Sequence, residues 1–133
     1  MMGRLAILGA AAAAVGAPAA AAPLTVRVGE SWAFALYKGE PVRERRVSAA
    51  TVPAAGEIKV TVSALAGTTM TLTNNSPFSY TFVAELVGVP AARAGKRTCT
   101  LPPKLPTIEY WPVRAAAVRL SNFRVATKGG TCP

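Results

Sequence analysis

The sequence predicts an all-β protein: a single β-sandwich of seven or eight mostly antiparallel strands, carrying one disulfide and preceded by a cleaved signal peptide. Three observations predict it. Apolar and polar residues alternate with period two in one short segment after another. Eleven Pro and eleven Gly punctuate those segments, which favours many strands and turns over a few long helices. Beyond the alanine-rich leader, no segment of useful length holds a helical period.

The leader, residues 1–21, reads as a secretory signal peptide. Arg4 supplies a positive start, Leu5 to Val15 an apolar stretch, and the small residues from Ala19 to Ala22 an A-x-A cleavage site. Pro23 disfavours a cut directly before it, so cleavage is expected after Ala21, leaving residues 22–133 as one domain. The segment is too short and alanine-rich to span a bilayer, and no cysteine follows it to carry a lipid anchor. The expected location is the periplasm or the extracellular space.

Leu24, Val26 and Val28 alternate with Thr25 and Arg27, and after a Gly29-Glu30-Ser31 turn Trp32, Phe34 and Leu36 continue the pattern as a second strand. From Lys38 to Gly56 the alternation lapses, and a long connection is expected there, with at most one weak strand near Arg45 to Ser48. Ile58, Val60 and Val62 between Lys59, Thr61 and Ser63 form the clearest amphipathic strand. Met70 and Leu72 lie between Thr69, Thr71 and Thr73, and Asn74-Asn75-Ser76-Pro77 has the residues of a hairpin turn. The return strand sets Phe78, Tyr80, Phe82, Ala84 and Leu86 on one face, and this hairpin is expected at the centre of the core. Cys99 and Leu101 share a face of a short strand ending at Pro102-Pro103. Ile108 and Tyr110 are expected to face inward on the next, which Pro112 stops. In the last strand Val118 and Leu120 have one parity and Phe123 and Val125 the other, so an extra residue, a β-bulge, is expected at Ser121-Asn122.

Cys99 and Cys132 are the only cysteines, and in a small exported chain a single disulfide between them is the default expectation. It would tie the C-terminus to the strand of Cys99 and stabilise by roughly 3 to 4 kcal/mol in the chain-entropy model. A redox role has no support: there is no Cys-x-x-Cys and no histidine to lower a thiol pKa.

The formal charge is +9, and +8 once Arg4 leaves with the leader. Such a field favours anionic partners such as lipid headgroups, phosphorylated envelope glycans or an acidic protein, the alternative being that the charge is spread over a solvated surface. Export argues against nucleic acid.

The chemistry inventory is largely one of exclusions. Without histidine or aspartate, a Ser-His-Asp or Cys-His nucleophilic site is ruled out, as is histidine ligation of zinc, copper or haem. No serine has a lysine three positions on, and no glycine-rich phosphate loop is present. A glutamate-based hydrolase would have to draw two carboxylates from Glu30, Glu40, Glu44, Glu57, Glu85 and Glu109, and no strand face brings a pair together locally. The expectation is a protein that is not an enzyme and carries no cofactor or metal.

The stretch from Gly67 to Phe82, a threonine strand, an Asn turn and an aromatic strand, resembles the pattern of cupredoxin-like and immunoglobulin-like sandwiches. That likeness implies a sandwich. Blue-copper members of the cupredoxin group place a histidine after this turn and a Cys…His…Met set near the C-terminus; here the region reads Phe78-Ser79-Tyr80, and no histidine or late methionine exists, so copper is not implied. The C-terminal part, from Cys99-Thr100-Leu101-Pro102 through Tyr110-Trp111-Pro112 to Leu120-Ser121-Asn122-Phe123-Arg124, is similar to small exported proteins of Gram-negative bacteria, a likeness that brings no function with it.

Two features are candidates for a working surface. Arg43, Arg45 and Arg46 crowd one segment and have the geometry to hold phosphate or carboxylate; the alternative is a solvated loop partly neutralised by Glu40 and Glu44. Trp111, opposite in parity to Ile108 and Tyr110 and close to Arg114, would anchor a partner or a sugar ring if it faced outward, and would otherwise pack in the core or at its rim. The functional expectation is a non-catalytic binding or structural module of the cell envelope that meets an anionic component. The alternative is an inhibitor-like or adaptor protein recognising one protein partner.

Overall fold

The computed structural model describes residues 22–90 and 97–126. Within them the chain is all β, with no helix and two antiparallel sheets. The strands are β1 (Leu24–Arg27), β2 (Ser31–Tyr37), β3 (Glu40–Val47), β4 (Ile58–Ser63), β5 (Thr68–Asn74), β6 (Tyr80–Val87), β7 (Arg97–Leu101), β8 (Pro106–Trp111) and β9 (Ala117–Val125). One sheet has the order β1-β9-β6-β7 and the other β3-β2-β4-β5-β8. The leader and Cys132 lie outside the described residues, as does the side chain of Cys99, and with them the expected cleavage and disulfide.

The alternating residues named from the sequence build the core. Val26 of β1, Val60 and Val62 of β4, Met70 and Leu72 of β5, Phe82 and Ala84 of β6 and Leu120 of β9 are fully buried. An aromatic cluster joins the layers: the Phe123 ring stacks on Phe82 at 5.2 Å within one sheet and meets Phe34 of the other at 5.7 Å. Phe123 reaches that position through the expected bulge. Val83 pairs with Ser121 but Thr81 with Arg124, so Asn122 and Phe123 together oppose Phe82, and Asn122 takes a left-handed backbone (φ 55°). The extra residue reverses the parity of β9 and turns Phe123 inward.

Three expectations need correction. First, the segment after Lys38 is a strand of eight residues, β3, hydrogen-bonded to β2. Its alternation is hidden by a second bulge: Ala33 pairs with Arg45 but Ala35 with Val42, so Arg43 and Glu44 face Phe34 alone and Arg43 is left-handed (φ 51°). As the last strand of its sheet among the described residues, β3 also tolerates charge that a central strand would not. Nine strands result among the described residues, not seven or eight.

Second, β5 and β6 are not a hairpin. β5 pairs with β4 and β8, and β6 with β7 and β9, so the chain crosses from one sheet to the other between them. Asn74 makes that corner. Fully buried, its amide nitrogen donates to the Phe78 carbonyl (2.7 Å) and, at longer range, to that of Leu101 (3.4 Å), while its Oδ1 accepts from the Ser76 N–H (3.1 Å). The side chain satisfies backbone groups that a ladder would otherwise pair. Phe78 consequently lies outside the strand and is exposed.

Third, the parity of β8 is inverted. Its register sets Glu109 beside buried Met70 and Thr107 beside buried Leu72, so Ile108 and Tyr110 face out, 65% and 46% exposed, and Trp111 is buried at 3%. Register against a neighbour decides which parity is inner, and local hydrophobicity does not carry it.

Candidate binding surface

Residues facing away from the core on the five-stranded sheet fall into rows that only the register reveals. One row runs Arg45, Ala33, Lys59, Thr73, Pro106 from β3 to β8; the next runs Val47, Ser31, Thr61, Thr71, Ile108. Neighbouring strands are about 4.8 Å apart, and residues two apart along a strand about 6.8 Å. Two long cations thus flank small Ala33, which is fully buried between them, and a line of hydroxyls runs alongside.

The 48–57 connection folds over this face and closes one side of a hollow of about 310 Å³ lined by Ala49, Lys59, Thr61, Thr71 and Thr73. The wall is pinned along its length. Thr51 N–H donates to the Ser48 carbonyl and the Thr51 hydroxyl accepts from the Ser48 N–H. Lys59 Nζ donates to the Ala49 carbonyl, and Asn75 Nδ2 to that of Pro53 (2.7 Å). Glu57 accepts from the Ala54 N–H (2.8 Å) and from the Arg45 guanidinium through both oxygens, Nη2 to Oε1 at 2.7 Å and Nε to Oε2 at 3.2 Å.

These bonds set the electrostatics. The Arg45 hydrogen bond, with the Ala54 N–H and the charges of Arg45 and Arg43, holds the Glu57 carboxyl below the usual glutamate range against the opposing effect of burial. The same pair raises Arg45 further. Glu57 offsets part of the local charge, and Arg43, Arg45 and Lys59 leave the face positive. Ser31 and Thr61 share a hydrogen bond of 2.7 Å, whereas among the described residues the hydroxyls of Thr71 and Thr73 make no side-chain hydrogen bond.

The sequence candidates are therefore divided. Arg45 lies on this face, and Arg43 is near enough to act on Glu57. Arg46, one residue on and so of opposite parity, pairs with Glu30 at 3.3 Å. The other oxygen of Glu30 accepts from the Trp32 indole (3.0 Å) and the Arg27 N–H; the indole bond leads in lowering its pKa. Trp111 packs in the core, and Arg114 is exposed in the connection from β8 to β9, at the opposite end of the sheet from Glu57. Sequence reasoning did not single out Lys59, Thr61, Thr71 and Thr73. Their strands were recognised, but only the pairing of β4 with β5, Lys59 opposite Thr73 and Thr61 opposite Thr71, makes them one surface.

Glu30, Glu57 and Glu85 each engage a different arginine, Arg46, Arg45 and Arg119. Among the described residues no cluster of three metal-ligating side chains forms, and no helix is long and apolar enough to cross a membrane. Fold and surface define an all-β protein of two antiparallel sheets with a basic, hydroxyl-lined outer face. No family model matches the chain, and no match was found among curated proteins or solved structures.

Proposed function

We propose that this protein is an exported, non-catalytic binding module of the cell envelope, and that it holds an anionic, hydroxyl-rich ligand on the outer face of the five-stranded sheet. The observation that carries this reading is the hollow itself: one ammonium and three threonine hydroxyls under a pinned wall, with Arg45 in the same row beyond Ala33. Threonine hydroxyls both donate and accept, which suits the ring hydroxyls of a sugar, and the ammonium suits its phosphate or carboxylate. The size is that of a small ligand unit and not of an extended chain.

The test is co-sedimentation with isolated Gram-negative cell envelopes across a salt series, beside a variant carrying Arg43→Ala, Arg45→Ala and Lys59→Ala. Binding that weakens with salt and in the variant supports the reading; binding indifferent to both overturns it.

A second reading has one observation in its favour. β8 turns Ile108 and Tyr110 outward, a setting for an adaptor or inhibitor-like protein that recognises one protein partner through apolar side chains. A discrete cross-linked species insensitive to salt would favour it.

A further inference from the structure

One end of the sandwich gathers the β2–β3 turn, the crossover from β5 to β6 and the end of β9. The turn is fastened to the bulge of β9: Phe123 N–H donates to the Gly39 carbonyl (2.8 Å), and Asn122 N–H to a Glu40 carboxylate oxygen (2.6 Å). The crossover is fastened beside it, with Ala126 N–H donating to the Ser79 carbonyl (2.8 Å) and Tyr80 paired with Val125. On this braced end, Tyr37 is 58% exposed, Phe78 53% and Val125 61%. The Phe78 ring lies 6.4 Å from that of Tyr80, which continues the aromatic contacts inward to Phe123 at 6.5 Å.

Cations border the apolar groups. Lys38 Nζ lies 5.5 Å from the Tyr37 ring centroid, Arg124 is exposed and held by Asn122 (3.2 Å), and Lys104 donates to Asn75 Oδ1 (2.6 Å). The Glu40 carboxylate is turned back onto the Asn122 N–H.

We infer that this end docks on an anionic lipid bilayer, Tyr37, Phe78 and Val125 entering the headgroup boundary and Lys38 and Arg124 meeting the lipid phosphates. Charge complementarity selects the occupant. Apolar and aromatic tips bordered by basic side chains match a surface that is apolar below and negative above, and tyrosine suits that boundary by having one apolar and one polar end. Neither contribution is large alone, and the two together give reversible attachment. This surface is separate from the Lys59 hollow, so the inference goes beyond the ligand reading and stands or falls independently of it.

The test is flotation of the full chain with phosphatidylcholine vesicles, with and without phosphatidylglycerol. The expected result is preference for the anionic vesicles, about fivefold weaker for each charge removed in a Lys38→Gln, Arg124→Gln variant at low salt. A Tyr37→Ser, Phe78→Ser variant is expected to lose at least about tenfold, while Arg114→Gln, exposed at the opposite end of the sandwich, leaves flotation unchanged. A Phe78→Trp variant supplies a second readout: acyl-chain-brominated lipid should quench its added fluorescence. Equal affinity for both vesicles, full affinity in the serine variant, or an unquenched Trp at position 78 would overturn the inference. So would a concentration-dependent dimer abolished by the serine changes without any lipid binding, which would give this end to a second copy of the chain.

Discussion

The two faces of the five-stranded sheet are built from alternate residues of the same strands, yet carry opposite chemistry. On β4 and β5 the inner residues Ile58, Val60, Val62, Met70 and Leu72 are buried, while Lys59, Thr61, Thr71 and Thr73 line an open hollow. A step of one residue along either strand passes from the core to the proposed ligand surface. Stability and binding should therefore separate by parity: changes on the inner face should unfold the protein, and changes on the outer face should spare the fold and remove the ligand.

The largest effect is expected in the aromatic cluster. Phe123→Ala, which removes the ring bridging the two sheets, should cost about 3–5 kcal/mol in urea unfolding. A loss below about 1 kcal/mol would mean that the layers are not held there. Gly67→Ala comes next. Gly67 has φ +134°, and an added Cβ would stand 2.4 Å from the Trp111 carbonyl oxygen, so backbone strain adds to the clash, and a loss of about 1–3 kcal/mol is expected in thermal melts. Asn74→Ala should also cost about 1–3 kcal/mol, because the crossover groups bonded by its side chain lose their partner in a buried site.

Glu57→Gln should make the stability of the outer face depend differently on pH. The folded-state pKa of Glu57 lies below its ordinary value of about 4.5, so its contribution to stability is complete above that value and disappears as pH falls through the lowered one. The melting temperatures of the native protein and the variant should differ at pH 7 and converge as pH falls through the lowered pKa. A gap that widens on acidification would contradict the assigned pairing with Arg45.

Much of the architecture was legible because period-two alternation reports local structure. Alternation marks the buried residues of β4 and β5 and those of β6 from Phe82 onward, though not exposed Phe78, and the change of parity between Leu120 and Phe123 marks the bulge without any knowledge of pairing. What was not legible depends on partners distant in sequence. β3 was obscured because the bulge at Arg43 and Glu44 breaks its alternation and its edge position admits charge. The corner at Asn74 has the residues of a hairpin turn, and the crossover shows only in partners distant in sequence: the pairing of β5 with β8 and of β6 with β9, and the bonds of Asn74 to Leu101 and Lys104. The arginine segment pointed to the correct face for Arg45, but Lys59 and the threonines became a site only through register.

The smallest effect on stability is expected at the hollow. Lys59→Met and Thr71→Val should each change stability by no more than about 0.5 kcal/mol. Those variants allow the most direct test of the central claim: an amide NMR titration with glucose 6-phosphate, with glucose and inorganic phosphate as controls, on the native protein and on Lys59→Met. Saturable shifts are expected, clustered at Ala49, Lys59, Thr61, Thr71 and Thr73, strongest for the sugar phosphate and abolished in the variant at an unchanged melting temperature. Shifts centred elsewhere, or the same titration in both proteins, would contradict it.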